Sequence, residues 1–231
     1  MKLKEITDFI DSEIPRNLAL ENDKIAFQTD YNLNQEINHV KIFMDILPDD
    51  DNFSKDTLVI THHPPLFKPK TPTFTVHSNW DIIEGGANEA LCDSLNLNVK
   101  SVFDESTGIG RICECEMIFE ELRKVILNNF KDARIVNTLE SNTPVRKVGV
   151  ISGFGLKSPK YIQLAHEKEL DILISGDLTQ ETAIMANNLN QTLIDLGHHE
   201  SEVPGLFKLK EVIKKTNIDC EVITKTPINK L

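Results

Sequence analysis

Nothing in this sequence reads as a membrane span: no apolar stretch approaches the roughly 20 residues that crossing a bilayer takes. The opening, MKLKEITDFIDSEIP, is acidic along its length and has no apolar core of signal-peptide size. No CxxC pair joins the four cysteines, Cys92, Cys113, Cys115 and Cys220. Thiols so placed, in a chain with no visible export signal, are expected to be reduced packing residues in the cytoplasm rather than a disulfide framework or a metal clamp. Cys113 and Cys115 alternate as neighbours on one strand face would. Positive charge is in short supply: 25 lysines and arginines stand against 36 aspartates and glutamates, a net of -11. That balance disfavours attachment to nucleic acid or anionic lipid through bulk charge, without excluding a local basic patch. The sequence also lacks any solenoid-period repeat, any low-complexity tract and any complete P-loop or dinucleotide fingerprint.

What is present is an ordinary globular composition of 231 residues, 40% apolar and 26% charged, long enough for one large domain or two small ones. Short apolar runs alternate with amphipathic stretches. LKEITDFIDSEI places Leu3, Ile6, Phe9, Ile10 and Ile14 at helical spacing, after which HVKIFMDIL and DTLVI read as strands. IEGGANEALCDSLNL predicts a helix beginning near Gly86 to Asn88, and MIFEELRKVILNNF predicts another with Ile118, Leu122, Val125 and Ile126 on one stripe. The second half repeats the rhythm. KVGVISG is a strand followed by the turn GFGLKSP, with Ser158 as N-cap and Pro159 as the first helical residue. DILIS and TLIDL are further strands separated by the helix QETAIMANNL, and SEVPGLFKLKEVIKKT leads to the last helix before CEVIT. The alternation predicts α/β layers in two subdomains, 1–116 and 117–231, with a cleft between them as the expected place for a site.

Polar chemistry collects at strand ends. Of seven histidines, five fall in three places: His62 with His63, His77, and His198 with His199. In THHPP, Pro64 and Pro65 take the chain out of the sheet, so neighbouring imidazoles need not point to opposite faces. The pair is either a metal site, with one ion each or one ligand beside its outer partner, or a loop with chance histidines. VHSNWD sets His77 and Asp81 four apart, and Asp81 suits a carboxylate between two cations or the cap of the following helix. In LGHHESEVPG, Gly197 permits a tight turn, and His198 and Glu202 share one face if the segment winds into a helix. His199 and Glu200 read as solvated polar residues. Nitrogen and oxygen donors without thiolate suit Zn, Mn, Fe or Co with positions left open for water.

In this order the segments ITHHPPLF, HSNWD with GGAN, GIGRICE (read as a turn), KVGVISGFG, ISGDLTQET and GHHESE resemble the Nif-three-like family, whose members go by the name GTP cyclohydrolase 1 type 2 homologues. The resemblance runs over nearly the whole chain. It implies an α/β fold of two subdomains with mixed sheets, a dinuclear metal site in the cleft between them, and assembly of dimers into a homohexameric ring. Carried over residue by residue, it implies that His62, His63, Asp81, His198 and Glu202 hold two divalent ions per chain, with His77 and Asp177 in supporting catalytic roles. The chain departs from many members in having no room for their inserted middle domain, and in carrying Thr179, Gln180 and Glu181 where they have a histidine.

Two functions follow as expectations. One is a metal-dependent hydrolase opening a nucleotide heterocycle such as that of GTP, with His77 shuttling protons and Lys68 and Lys70 either meeting phosphates or serving as solubilising loop lysines. The other is a metal-binding ring acting in delivery, sensing, or partner or nucleic-acid binding, with no turnover.

Overall fold

The computed structural model describes residues 1–228. In chain order the elements begin with α1 (Leu3–Glu13), β1 (Ala26–Phe27), β2 (His39–Phe43), β3 (Thr57–Thr61), β4 (Thr73–Thr75), α2 (Ser78–Ile82) and α3 (Ala87–Ser94). They continue with β5 (Asn98–Asp104), β6 (Ile109–Ile118), α4 (Phe119–Asn129), β7 (Arg134–Val136), β8 (Pro144–Val150) and α5 (Pro159–Glu167). The last are β9 (Ile172–Ser175), α6 (Gln180–Leu189), β10 (Thr192–Asp195), α7 (His198–Lys214) and β11 (Asp219–Ile223). No helix among the described residues is long and apolar enough to cross a membrane.

The chain forms two compact units, Met1–Gly86 with Leu206 onward, and Ala87–Gly205. The expected division after residue 116 is therefore corrected, and hydrogen bonding gives the reason. Residue 116 falls inside β6, which pairs antiparallel with both β5 and β8, so β5 and β6 belong with the later strands. The C-terminal β11 instead pairs in parallel with β2.

The first unit holds a five-stranded sheet in the order β1-β4-β3-β2-β11, parallel apart from the β1–β4 pair. Every residue of β3, TLVIT, is buried, as an interior parallel strand covered on both faces requires. Helix α1 buries Leu3, Ile6, Thr7 and Ile10, a 3–4 spacing that turns one stripe inward. The second unit holds a six-stranded sheet in the order β5-β6-β8-β9-β10-β7, parallel only through β8–β9–β10. Both sheets are mixed. GIGRICE is not a turn: its last six residues begin β6, and the turn precedes it, with the Gly108 amide bonded to the Asp104 carbonyl at 2.8 Å. Cys113 and Cys115 face the core while Glu114 is exposed, so the alternation holds, and all four cysteines are buried free thiols. Helix α4 buries Phe119, Leu122 and Ile126, whereas Ile118 ends β6 and is exposed, because the strand runs through Met117 and Ile118, the first two residues of the segment expected to be helix. Ser158 and Pro159 do open α5.

At the end of β5 the Asp104 carboxylate accepts hydrogen bonds from Lys160 at 2.7 Å, Ser106 at 2.6 Å and Thr107 at 2.9 Å. Burial pushes its pKa up, but these donors overcome it and hold the group at about 2. A depressed carboxylate stabilises the fold above its unfolded value near 3.8, and the contribution is lost as pH falls through about 2. Asp104→Asn should lower stability at neutral pH by about 1–2 kcal/mol after allowance for solvent screening. In acid titrations of urea midpoints the gap from the parent protein should close between pH 4 and 2; a gap independent of pH would contradict this.

Candidate metal centre

In the first unit, β2, β3 and β4 bring three imidazoles together. The β2–β3 pairing carries on past the strand ends, with the His62 and His63 amides donating to the carbonyls of Phe43 and Met44, both at 3.0 Å. On the other side Thr61 and Thr75 are register partners joined through their hydroxyls at 3.0 Å, and the Val76 amide donates to the Thr61 carbonyl. This alignment sets the Val76 carbonyl 3.1 Å from His62 Nδ1. A carbonyl can only accept, so Nδ1 carries the proton and Nε2 presents a lone pair. His63 and His77 are tethered in the same sense: His63 Nδ1 lies 2.9 Å from Asp45 Oδ1, and His77 Nδ1 2.7 Å from Asp23 Oδ1. Ser78 donates to the other Asp23 oxygen through its amide and its hydroxyl.

The three rings lie 5.1–5.4 Å apart, centroid to centroid. His62, His63 and His77 each offer a ligand atom, and these atoms all fall within 4.8 Å of one another. Asp81, buried in the single turn of α2, approaches with Oδ1 3.6 Å from His62 Nε2. It does not cap α3, since it lies within its own helix. Burial and the neighbouring His62 lower the His77 pKa more than Asp23 raises it, so His77 is neutral at pH 7. Burial opposes ionisation of Asp23, yet hydrogen bonds from Ser78 and His77 hold it below the usual carboxylate range.

The second unit contributes Asp177, His198 and Glu202. After β10 the chain turns at Gly197, with φ 87°, and α7 starts directly at His198. The helix therefore begins six residues before Pro204, and His198 and Glu202 do sit one turn apart on one face. Ser201 fixes this first turn: its hydroxyl donates to the His198 carbonyl at 2.8 Å and accepts from the Gly153 amide at 2.9 Å. His198 Nδ1 is 2.9 Å from Asp177 Oδ2, and Nε2 is 3.4 Å from Glu202 Oε2. Burial works against its charge, but Glu202 and then Asp177 raise the His198 pKa to about 9. A divalent ion at this nitrogen would have to compete with that proton. Lys157 sits 3.3 Å from Asp177. His199 is half-buried rather than fully solvated, while Glu200 is exposed.

The donor set fits divalent ions. Imidazoles fixed at Nδ1 by a carbonyl or a carboxylate, with Nε2 left as ligand, form the outer arrangement by which metal-binding histidines are usually oriented. Nitrogen and oxygen donors with no thiolate suit Zn, Fe, Mn or Co.

The family model described as Duf34/NIF3 (NGG1p interacting factor 3) matches residues 70–228. The chain belongs to the Duf34/NIF3 family. A protein named GTP cyclohydrolase 1 type 2 homolog, from Methanothermobacter thermautotrophicus, is 40% identical over 230 residues that span 98% of this chain and 95% of the relative. The solved structure of reduced HcgD from Methanocaldococcus jannaschii superposes with a TM-score of 0.81 at 30% identity, covering 96% of each chain. A Bacillus cereus protein related to NIF3 gives a TM-score of 0.84 at 18% identity, covering 100% of this chain and 99% of that one, which shows a common fold.

In this Duf34/NIF3 chain, sequence reasoning had picked His62, His63, His77, Asp81, Asp177, His198 and Glu202. It missed the groups that hold them. Asp45 gave no such signal, because it stands inside HVKIFMDIL, which reads as one strand, whereas β2 stops at Phe43. Asp23 carried none, lying 54 residues from the imidazole it orients. Gly153 and Ser201, which shape the space around Glu202, carried none either.

Proposed function

We propose that the protein is a divalent-metal-dependent hydrolase that opens a nucleotide heterocycle with activated water, as a GTP cyclohydrolase does. His62, His63 and Asp81 are the ligands from the first unit, His198 and Glu202 those from the second, and together they hold two ions per chain. The observation that carries the reading is the pair of ligand imidazoles His62 and His63, each tethered at Nδ1, with the similarly tethered His77 ring beside them as the base, their donor atoms all within 4.8 Å of one another. The relatives' name supports the reaction class.

Bound divalent ions would supply Lewis acidity and a water whose pKa is brought to roughly 7. The chain's own groups do the rest. His77, neutral and hydrogen-bonded to Asp23, accepts a proton at Nε2 and passes it on, with the Asp23 carboxylate stabilising the resulting imidazolium. Asp177 orients His198 through Nδ1. Self-association into a hexameric ring in the cytoplasm belongs to the same proposal and is open to light scattering.

Metal per chain should approach two after reconstitution, and chromatography should show GTP or another nucleotide converted with metal and left intact with chelator. Asp81→Ala and Glu202→Ala should each lower turnover by at least about a hundredfold while the circular dichroism spectrum is retained. Two ions per chain with every nucleotide untouched would sink the nucleotide reading in favour of a metal-binding role without turnover. A metal content near zero would sink the centre itself.

A further inference from the structure

A cavity of about 490 Å³ in the first unit is lined by two chain segments, each of which follows closely in sequence on a residue of the imidazole cluster or its support. One wall is the segment carrying Lys24, Gln28 and Thr29, which follows directly on Asp23, the carboxylate holding His77. The other carries Leu66, Phe67 and Lys68, and its first lining residue, Pro65, is two positions beyond His63. At roughly 3.3–3.6 Å per residue, that puts the second wall within about 7 Å of His63 along the chain.

The walls are held in place. Tyr31 at the end of the first donates its hydroxyl to the Pro69 carbonyl at the end of the second, at 3.1 Å. Phe27 packs edge-on against Tyr31 and Phe74, at 5.3 and 5.1 Å. Beyond the second wall the amides of Lys70 and Thr71 donate to the Asp51 carboxylate at 2.6 and 3.0 Å. Pro64 and Pro65 stiffen its start.

The lining has two characters. Lys24 and Lys68, one on each wall, are exposed, and among the described residues neither has a carboxylate partner. In a chain of net charge -11, two uncompensated ammonium groups lining one cavity form the local basic patch that bulk charge does not supply. Beside them Leu66 is 101% exposed on a stiff segment, an apolar side chain with nothing over it. Phe67 lines the cavity while packing against the small core of Phe43, Ile46 and Val59. Lys70 does not line the cavity, so of the two lysines weighed from sequence only Lys68 is placed here, and Lys24 joins it.

We propose that this pocket binds the phosphate chain of a phosphorylated heterocycle, with Lys24 and Lys68, one from each lining segment, holding the anion and Leu66 covering the apolar edge of the same molecule. The proposal rests on the hydrolase reading above and names the substrate's charged end. It is tested by calorimetry on the full chain stripped of metal, titrated with inorganic tripolyphosphate, GTP and guanosine.

Tripolyphosphate should bind without metal and weaken as salt rises. Lys24→Ala and Lys68→Ala should each weaken it about tenfold, with Lys70→Ala unchanged. GTP should bind more tightly than tripolyphosphate, guanosine more weakly than GTP, and Leu66→Ser should affect GTP alone. No tripolyphosphate binding, or binding indifferent to both lysines, overturns the pocket even if the metal-loaded protein turns over nucleotides. Tripolyphosphate binding as tightly as GTP overturns the heterocycle part in favour of an inorganic polyanion. Lysine-dependent GTP binding by a chain that takes up no metal upholds the pocket and sinks the hydrolase.

Discussion

Gly153→Ala should lower the melting temperature by about 10 °C and, with His198 and Glu202 as the proposed ligands, strip metal from that pair. Gly153 has φ 79°, and a Cβ built on it would lie 2.1 Å from Glu202 Oε1 and 2.9 Å from its carboxyl carbon. Left-handed backbone costs an alanine about 1–2 kcal/mol. Overpacking against a side chain that is 3% exposed costs about 1–3 kcal/mol more. The loop cannot retreat freely, because the Gly153 amide is bonded to Ser201 Oγ at 2.9 Å, so Glu202 has to move. Displaced by even part of an ångström, the carboxylate would no longer meet the ion that the proposed centre places at His198. Metal affinity should fall by at least about a hundredfold, read as metal per chain after dialysis. Glu202→Gln is the control: it keeps the shape, so it should lose metal with a smaller fall in melting temperature, that of the weakened His198 pairing alone. A Gly153→Ala protein with parental melting and parental metal content would sink the argument.

The second large effect is on folding. Arg111 is 3% exposed, and its guanidinium is held by Glu89 Oε1 at 2.8 Å and by the carbonyls of Gly108 and Gly110 at 3.1 and 2.9 Å. Glu89→Ala removes a balancing carboxylate from beside a buried cation and should cost about 3–5 kcal/mol. Replacing both partners with apolar residues of similar size, Glu89→Leu with Arg111→Met, should cost clearly less, because no charge is then left buried. Urea unfolding of Glu89→Leu, Arg111→Met and the double variant measures the interaction energy of the pair. Equal losses in Glu89→Ala and the double variant would show that the pair is not what matters. The arginine of GIGRICE thus has a structural role: it anchors the turn before β6 to α3.

Much of this molecule was legible in the sequence because the signals were local. The spacing of Leu3, Ile6 and Ile10 gave α1 its buried stripe, QETAIMANNL gave α6 its full length, and the alternation of Cys113 and Cys115 gave β6 its inward face. His198 and Glu202 were readable as a pair because helical periodicity fixes which residues share a face. Where an apolar pattern ran across a junction the reading slipped, as at Ile118, which ends a strand rather than starting a helix. It slipped again at the subdomain boundary, because a strand's sheet is chosen by its hydrogen-bond partners and those lie far along the chain.

By itself, the sequence determined the kinds of donor available, nitrogen and oxygen at strand ends with no thiolate, and the two stiff or tight turns, at Pro64–Pro65 and Gly197, that release them from the sheets. Only the tertiary structure decided which group holds which imidazole: Val76 for His62, Asp45 for His63, Asp23 for His77, Asp177 for His198. It also decided that His77 stands as near to His62 and His63 as they do to each other. The physical reason is range. Periodicity and turn chemistry act over a few residues, whereas a hydrogen bond spanning 54 residues exists only once β4 has paired with β3 and drawn the segment after it into place.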